Sequence, residues 1–80
     1  MEMLRSAAKK VVGTKQVTRA LKAGSVVRAY VAGDADTFIY QQVVRAAEEA
    51  GVPCIRVNTM KELGMTAGVE VPAASAAVLR

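Results

Sequence analysis

"VVRAYVAGDADTFIYQQVVRAAEEAG" (residues 26–51) decides the fold. Val26–Ala32 is a β-rich run, apolar at successive positions and interrupted only by Arg28. Strict alternation would mark a strand with one wet face, whereas an unbroken run marks an interior strand covered on both sides. Gly33 to Thr37 carries turn residues, and from about Thr37 the spacing changes to that of a helix. Ile39, Tyr40, Val43, Val44, Ala46, Ala47 and Ala50 fall on one side. Gln41, Gln42, Arg45, Glu48 and Glu49 fall on the other, and Gly51 is the stop. A strand buried on both sides needs helices on both faces of its sheet.

Reading outward, Pro53 opens another strand, "CIRVN" (54–58). "TMKELG" (59–64) is a short helix, "MTAGVEVPAA" (65–74) a loop or turn, and "SAAVLR" (75–80) a last strand or helix end. Toward the N-terminus, residues 2–9 predict a short helix running into a brief apolar strand at Lys10–Val12. Gly13 breaks that strand, Thr14 is placed to N-cap a second helix, and Gly24 ends it. There is no internal repeat, linker or low-complexity segment. The expected architecture is α/β, a three-layer α-β-α sandwich with a small mixed sheet of about four strands, formed as one domain over residues 1–80.

Composition narrows the function. Eighty residues lie near the lower end of what folds without disulfides or metals. Such a chain cannot enclose a deep cleft and still keep a packed core. It contains no histidine, which removes imidazole acid/base chemistry, histidine-ligated metals and Ser-His or Cys-His nucleophile pairs. Cys54 is the single cysteine, so neither a disulfide framework nor a zinc site is expected. No catalytic constellation, metal or cofactor is expected. No apolar run approaches the ~18 residues of a membrane span, and "MEMLRSAAKK" lacks the apolar centre of a signal peptide. A cytoplasmic monomer is the expectation.

The net charge of +4 is unevenly placed. Residues 1–28 hold Arg5, Lys9, Lys10, Lys15, Arg19, Lys22 and Arg28 against Glu2 alone, while the remainder is slightly acidic. A polyanion partner at one end of the molecule follows from such asymmetry. At ~100° per residue, Lys15, Arg19 and Lys22 share about 60° of helix surface. Val17, Ala20 and Leu21 lie opposite. The same cations would also serve as a merely solvated face, and both readings stay open on charge alone.

Other candidates have ordinary readings. Asp34 and Asp36 could hold a divalent cation, but aspartate before a helix more commonly caps or turns the chain. Cys54 follows a proline in an apolar strand with no base, as a buried structural thiol does. Gly13-Thr14-Lys15 lacks the spacing of a phosphate loop. What remains is a strand–glycine–helix junction, whose free N–H groups favour anions. Lysine and arginine beside it add phosphate contacts and donors toward guanine. Tyr30, Phe38 and Tyr40 are the only aromatics, too few for a platform that stacks a single strand. A folded RNA met by a helix edge fits better.

Several separated segments resemble the ribosomal L-seven-Ae family of kink-turn RNA-binding proteins, its short bacterial YbxF-like members in particular. "GTKQVTRAL" (13–21) is similar to that family's Gly-Ala-Asn-Glu-x-Thr-Lys segment, and "VAGDAD" (31–36) to its strand-end Ala-x-Asp-Ala-Asp. "GVPCIRV" (51–57) matches its penultimate strand, and "KELGMTAGVEVPAASAAV" (61–78) its Leu-Gly-x-x-x-Gly loop and tail. The order and spacing of these pieces make the signal.

The resemblance implies that the helix start enters a widened groove at tandem sheared G·A pairs, and that the second loop covers a flipped-out base. The RNA-binding set it implies is Gly13, Thr14, Lys15, Gln16, Arg19, Lys22, Val69, Glu70 and Val71. The partner would be a structured RNA, a kink-turn in rRNA or an mRNA leader, with the ribosome as the associated assembly. Two substitutions depart from the pattern. Lys15 replaces an asparagine and can only donate. Gln16 replaces a glutamate, so its carbonyl still accepts from a guanine N–H but without charge assistance. An rRNA-binding structural protein that uses no kink-turn and a protein-interaction module with a solvated basic helix are the alternatives.

Overall fold

The computed structural model describes the whole chain, Met1–Arg80. Its elements alternate as α1 (Glu2–Ser6), β1 (Lys10–Val12), α2 (Thr14–Lys22), β2 (Val26–Ala32), α3 (Thr37–Ala50), β3 (Cys54–Val57), α4 (Met60–Ala67) and β4 (Ser75–Leu79). The four strands form one sheet in the order β1-β4-β2-β3. β4 is antiparallel to both β1 and β2, and β2 is parallel to β3. This is the mixed four-stranded α/β sandwich the sequence predicts.

The apolar run of β2 serves two cores. Tyr30 and Ala32 face a cluster with Leu4, Val57, Leu63, Ala67, Ala76 and Val78, under α1 and α4. Ala29 and Val31 face the other cluster, with Val17, Leu21, Val43, Ala47 and Ala77, under α2 and α3. Val26 joins this second core although it lies three residues from Ala29. The reason is a register shift between Val26 and Arg28 against β4. The bulge inserts Val27 as an extra residue and leaves it 43% exposed, so β2 is covered on both sides only beyond this point.

Three local expectations are corrected and one alternative is decided. The first helix stops at Ser6 rather than running to Lys9, and Ala7 is extended. The carbonyl of Lys9 already accepts from Leu79 N–H at 3.0 Å, so sheet pairing overrides local helix propensity. The last helix continues through Ala67, where Gly68 in the left-handed region (φ +84°) ends it. "MTA" is thus helix and not loop. The C-terminal stretch is a strand, and it occupies the middle of the sheet. In α3 the buried stripe narrows to Val43 and Ala47, with Ala50 exposed.

Chain direction sets the position of the site. Val12 pairs with Ala76, Val31 with Ser75 and Ala32 with Val57. The ends of β1, β2 and β3 therefore meet the start of β4 at one edge of the sheet. The starts of α2, α3 and α4 and the 68–74 loop are gathered there, the usual place for ligands in open α/β sheets.

Candidate nucleic-acid interface

α2 starts where β1 ends because Gly13 takes φ +102°, a region disfavoured for side-chain-bearing residues. Gly13, not Thr14, is the N-cap residue, and no side chain caps the helix. The Thr14 hydroxyl is 3.0 Å from the Ser75 hydroxyl instead, and Gly13 N–H donates to the Ser75 carbonyl at 2.9 Å. Ser75 is fully buried, so these two bonds clasp the helix start to the end of the second loop. They bring the two predicted RNA-contacting segments, 61 residues apart in sequence at the hydroxyl pair, to one place.

The other two helices at this edge are capped. Asp36 accepts from the N–H groups of Phe38 and Ile39 at 2.9 and 3.4 Å. Thr59 accepts from Glu62 N–H at 3.1 Å, and Asp34 accepts from Met60 N–H at 2.8 Å. The two aspartates therefore fasten different helices and diverge, as cap and turn residues do. At α2 the first-turn N–H groups meet no side chain, and the turn holds no acidic residue. The positive end of the helix is open to an outside acceptor.

Lys15, Gln16, Arg19 and Lys22 are all exposed, while Val17 and Leu21 are buried beneath them. The molecule has one salt bridge, Arg5–Glu2, so the α2 cations are held in no ion pair. Lys22 also lines a cleft between α2 and α3.

The second loop is held at both ends. Val69 N–H donates to Gly64 O at 3.0 Å, and Ala73 N–H donates to Met60 O at 3.0 Å. The Val71 carbonyl lies against Gly64 where a Cβ would collide with it, so only glycine admits the loop there. Between these anchors Val69 is half-buried, Glu70 is exposed and Val71 is 65% exposed. The apolar pair thus splits, one valine partly inward and one outward.

Sequence reasoning did not single out Ser75, Asp34 as an α4 anchor, or Lys10. Lys10 Nζ donates to Leu4 O at 3.4 Å and sits beside Gly68 at the root of the loop. None of the three carries a local signal beyond its polarity. Cys54 is only half-buried, and desolvation raises its thiol above the ordinary range, which makes it an inert thiol at neutral pH.

A family model described as the Ribosomal protein L7Ae/L30e/S12e/Gadd45 family matches residues 1–80. The chain belongs to this family. Among its relatives is the RNA-binding protein YbxF of Geobacillus stearothermophilus, 47% identical over 79 residues, covering 99% of this chain and 96% of that protein. An RNA-binding protein of Caldanaerobacter subterraneus is 41% identical over 69 residues, 86% of this chain and 84% of its own length. This family member also shares its fold with the Giardia lamblia 15.5kD RNA binding protein, with a TM-score of 0.85 at 24% identity. That alignment covers 99% of this chain and 72% of the other. No helix is long and apolar enough to cross a membrane.

Proposed function

We propose that this L7Ae-family chain is an RNA-binding protein that recognises kink-turns in structured RNA, within a ribosome-associated RNA. The observation that carries the reading is the uncapped, acid-free start of α2, clasped through Ser75 to the loop that presents Val71. Its open N–H groups suit phosphate or carbonyl acceptors. Gly13 permits a close backbone approach. Lys15 and Arg19 stand where they can reach phosphates or guanine O6 and N7, and the Gln16 carbonyl can accept from a guanine N–H. Lys22 supplies a phosphate contact. Val69, Glu70 and Val71 form the lip over an unstacked base. The names of the relatives support an RNA partner, and the absence of ion pairs at α2 leaves its cations available to it.

The test is a gel-shift series comparing an RNA that contains tandem sheared G·A pairs in a kinked internal loop with a fully paired duplex of equal length. Preferential retardation of the kinked RNA is the expected result. Equal binding to both would leave rRNA binding without a kink-turn, and no binding to either would remove the RNA reading.

A further inference from the structure

Phe38 is the single phenylalanine and the most exposed of the large apolar residues, at 74%. It stands on the first turn of α3, where Asp36 fixes its own backbone N–H. The ring forms one wall of an open cleft of about 300 Å³ between α2 and α3, near the lower limit of ~300–1,000 Å³ for small-ligand clefts. Thr18 and Lys22 of α2 line the other wall, and Gln41, Gln42 and Arg45 continue the α3 side.

Three features of this cleft point the same way. It opens on the cationic side of α2, so it is continuous with the proposed RNA face. Lys22 and Arg45 have no ion-pair partner within the chain, and against Glu49 alone they leave the cleft lining with a net positive charge. The Asp36 carboxylate is engaged in its cap. Glu49 lines the cleft at its Lys22 end. An exposed ring, side-chain amides able to donate and accept, and two flanking cations together make a nucleotide site: base on ring, base edge on amide, phosphate on cation.

We infer that the α2–α3 cleft holds one unpaired nucleotide of the bound RNA, its base stacked on Phe38 and its phosphate between Lys22 and Arg45. This rests on the RNA reading above and adds a contact outside the α2 start and the second loop. A protein helix is the weaker occupant, because the cleft is lined mainly by polar and charged side chains.

The test uses the whole chain and two labelled RNAs, a kinked stem and the same stem with a single-stranded tail of about four nucleotides, at either end in turn. With the unaltered protein one tail should tighten binding by at least ~5-fold, the low end of what one stacked base contributes. Phe38→Leu should abolish that gain while the tail-less stem binds as before, and Phe38→Tyr, which keeps the ring, should retain it. Equal unfolding midpoints would confirm that all three chains are folded. A tail without effect, while the stem binds normally, overturns the cleft proposal and leaves the kink-turn reading intact. So does a Phe38→Leu loss of the same size on both RNAs, or Phe38-dependent self-association without RNA. Failure of both RNAs to bind removes the two proposals together.

Discussion

Val71→Ser tests whether the second loop reads RNA or only closes the fold. Val71 is 65% exposed in the free protein, so its side chain contributes little to the core. Fully burying a valine is worth about 1.5 kcal/mol. If a flipped-out base covers the exposed two-thirds, the variant loses about 1 kcal/mol of binding, roughly 5-fold in Kd. The unfolding midpoint should stay within what an exposed substitution allows, about ±0.5 kcal/mol. Fluorescence anisotropy with labelled kinked RNA gives Kd, a matched duplex reports the phosphate contribution, and thermal melts report stability. Val69→Ser is the comparison, since its half-buried side chain makes stability the quantity that moves. An unchanged Kd for Val71→Ser on kinked RNA would take the loop out of the site. An equal loss on the duplex would show that the loop does not distinguish the kink.

Lys15→Ala and Arg19→Ala should each weaken kinked-RNA binding by about 1–3 kcal/mol if they reach guanine edges, with melting unchanged because both are exposed. Lys61→Ala, exposed on α4, is the control, and a loss of the same size there would misplace the interface. With about 3–5 phosphate contacts, log K plotted against log salt should fall with a slope on the order of −2 to −4; a flat response in salt titrations removes the electrostatic contribution. The Tyr30 hydroxyl is buried with no hydrogen-bond partner, so Tyr30→Phe should raise stability by about 1 kcal/mol or more in chemical denaturation, and a destabilised variant would mean that the hydroxyl is satisfied.

The parts of the fold that were legible in sequence are those whose burial follows local periodicity. β2 and α3 were readable because one run must serve two cores and the next presents a helical stripe. α2 was readable because Val17 and Leu21 lie opposite its cations. The elements misread or left open are those whose state is decided by a distant partner. Ala7–Lys9 has helix-forming residues, yet Lys9 pairs with Leu79. "SAAVL" favours no one structure locally, and alanine is a helix former. At the centre of this sheet, however, Ala76 and Ala77 sit between opposite cores, where small side chains let helices approach both faces.

The site divides along the same line. Which side chains could meet a polyanion was visible from charge and helical spacing, because both are local. That the two segments form one surface was implied by the family resemblance but not by any local pattern, because it depends on Ser75 accepting from Gly13 and pairing its hydroxyl with Thr14. A serine at the head of an alanine-rich stretch has no distinguishing pattern, and only the antiparallel insertion of β4 between β1 and β2 carries it to the helix start. The same insertion explains the missing cap. The polar groups around Gly13 and Thr14 are turned toward β4, so the helix is anchored without a side chain over its N–H groups. Stability and accessibility are thereby separated at this helix: the clasp fixes its position, and its positive end stays open for a ligand.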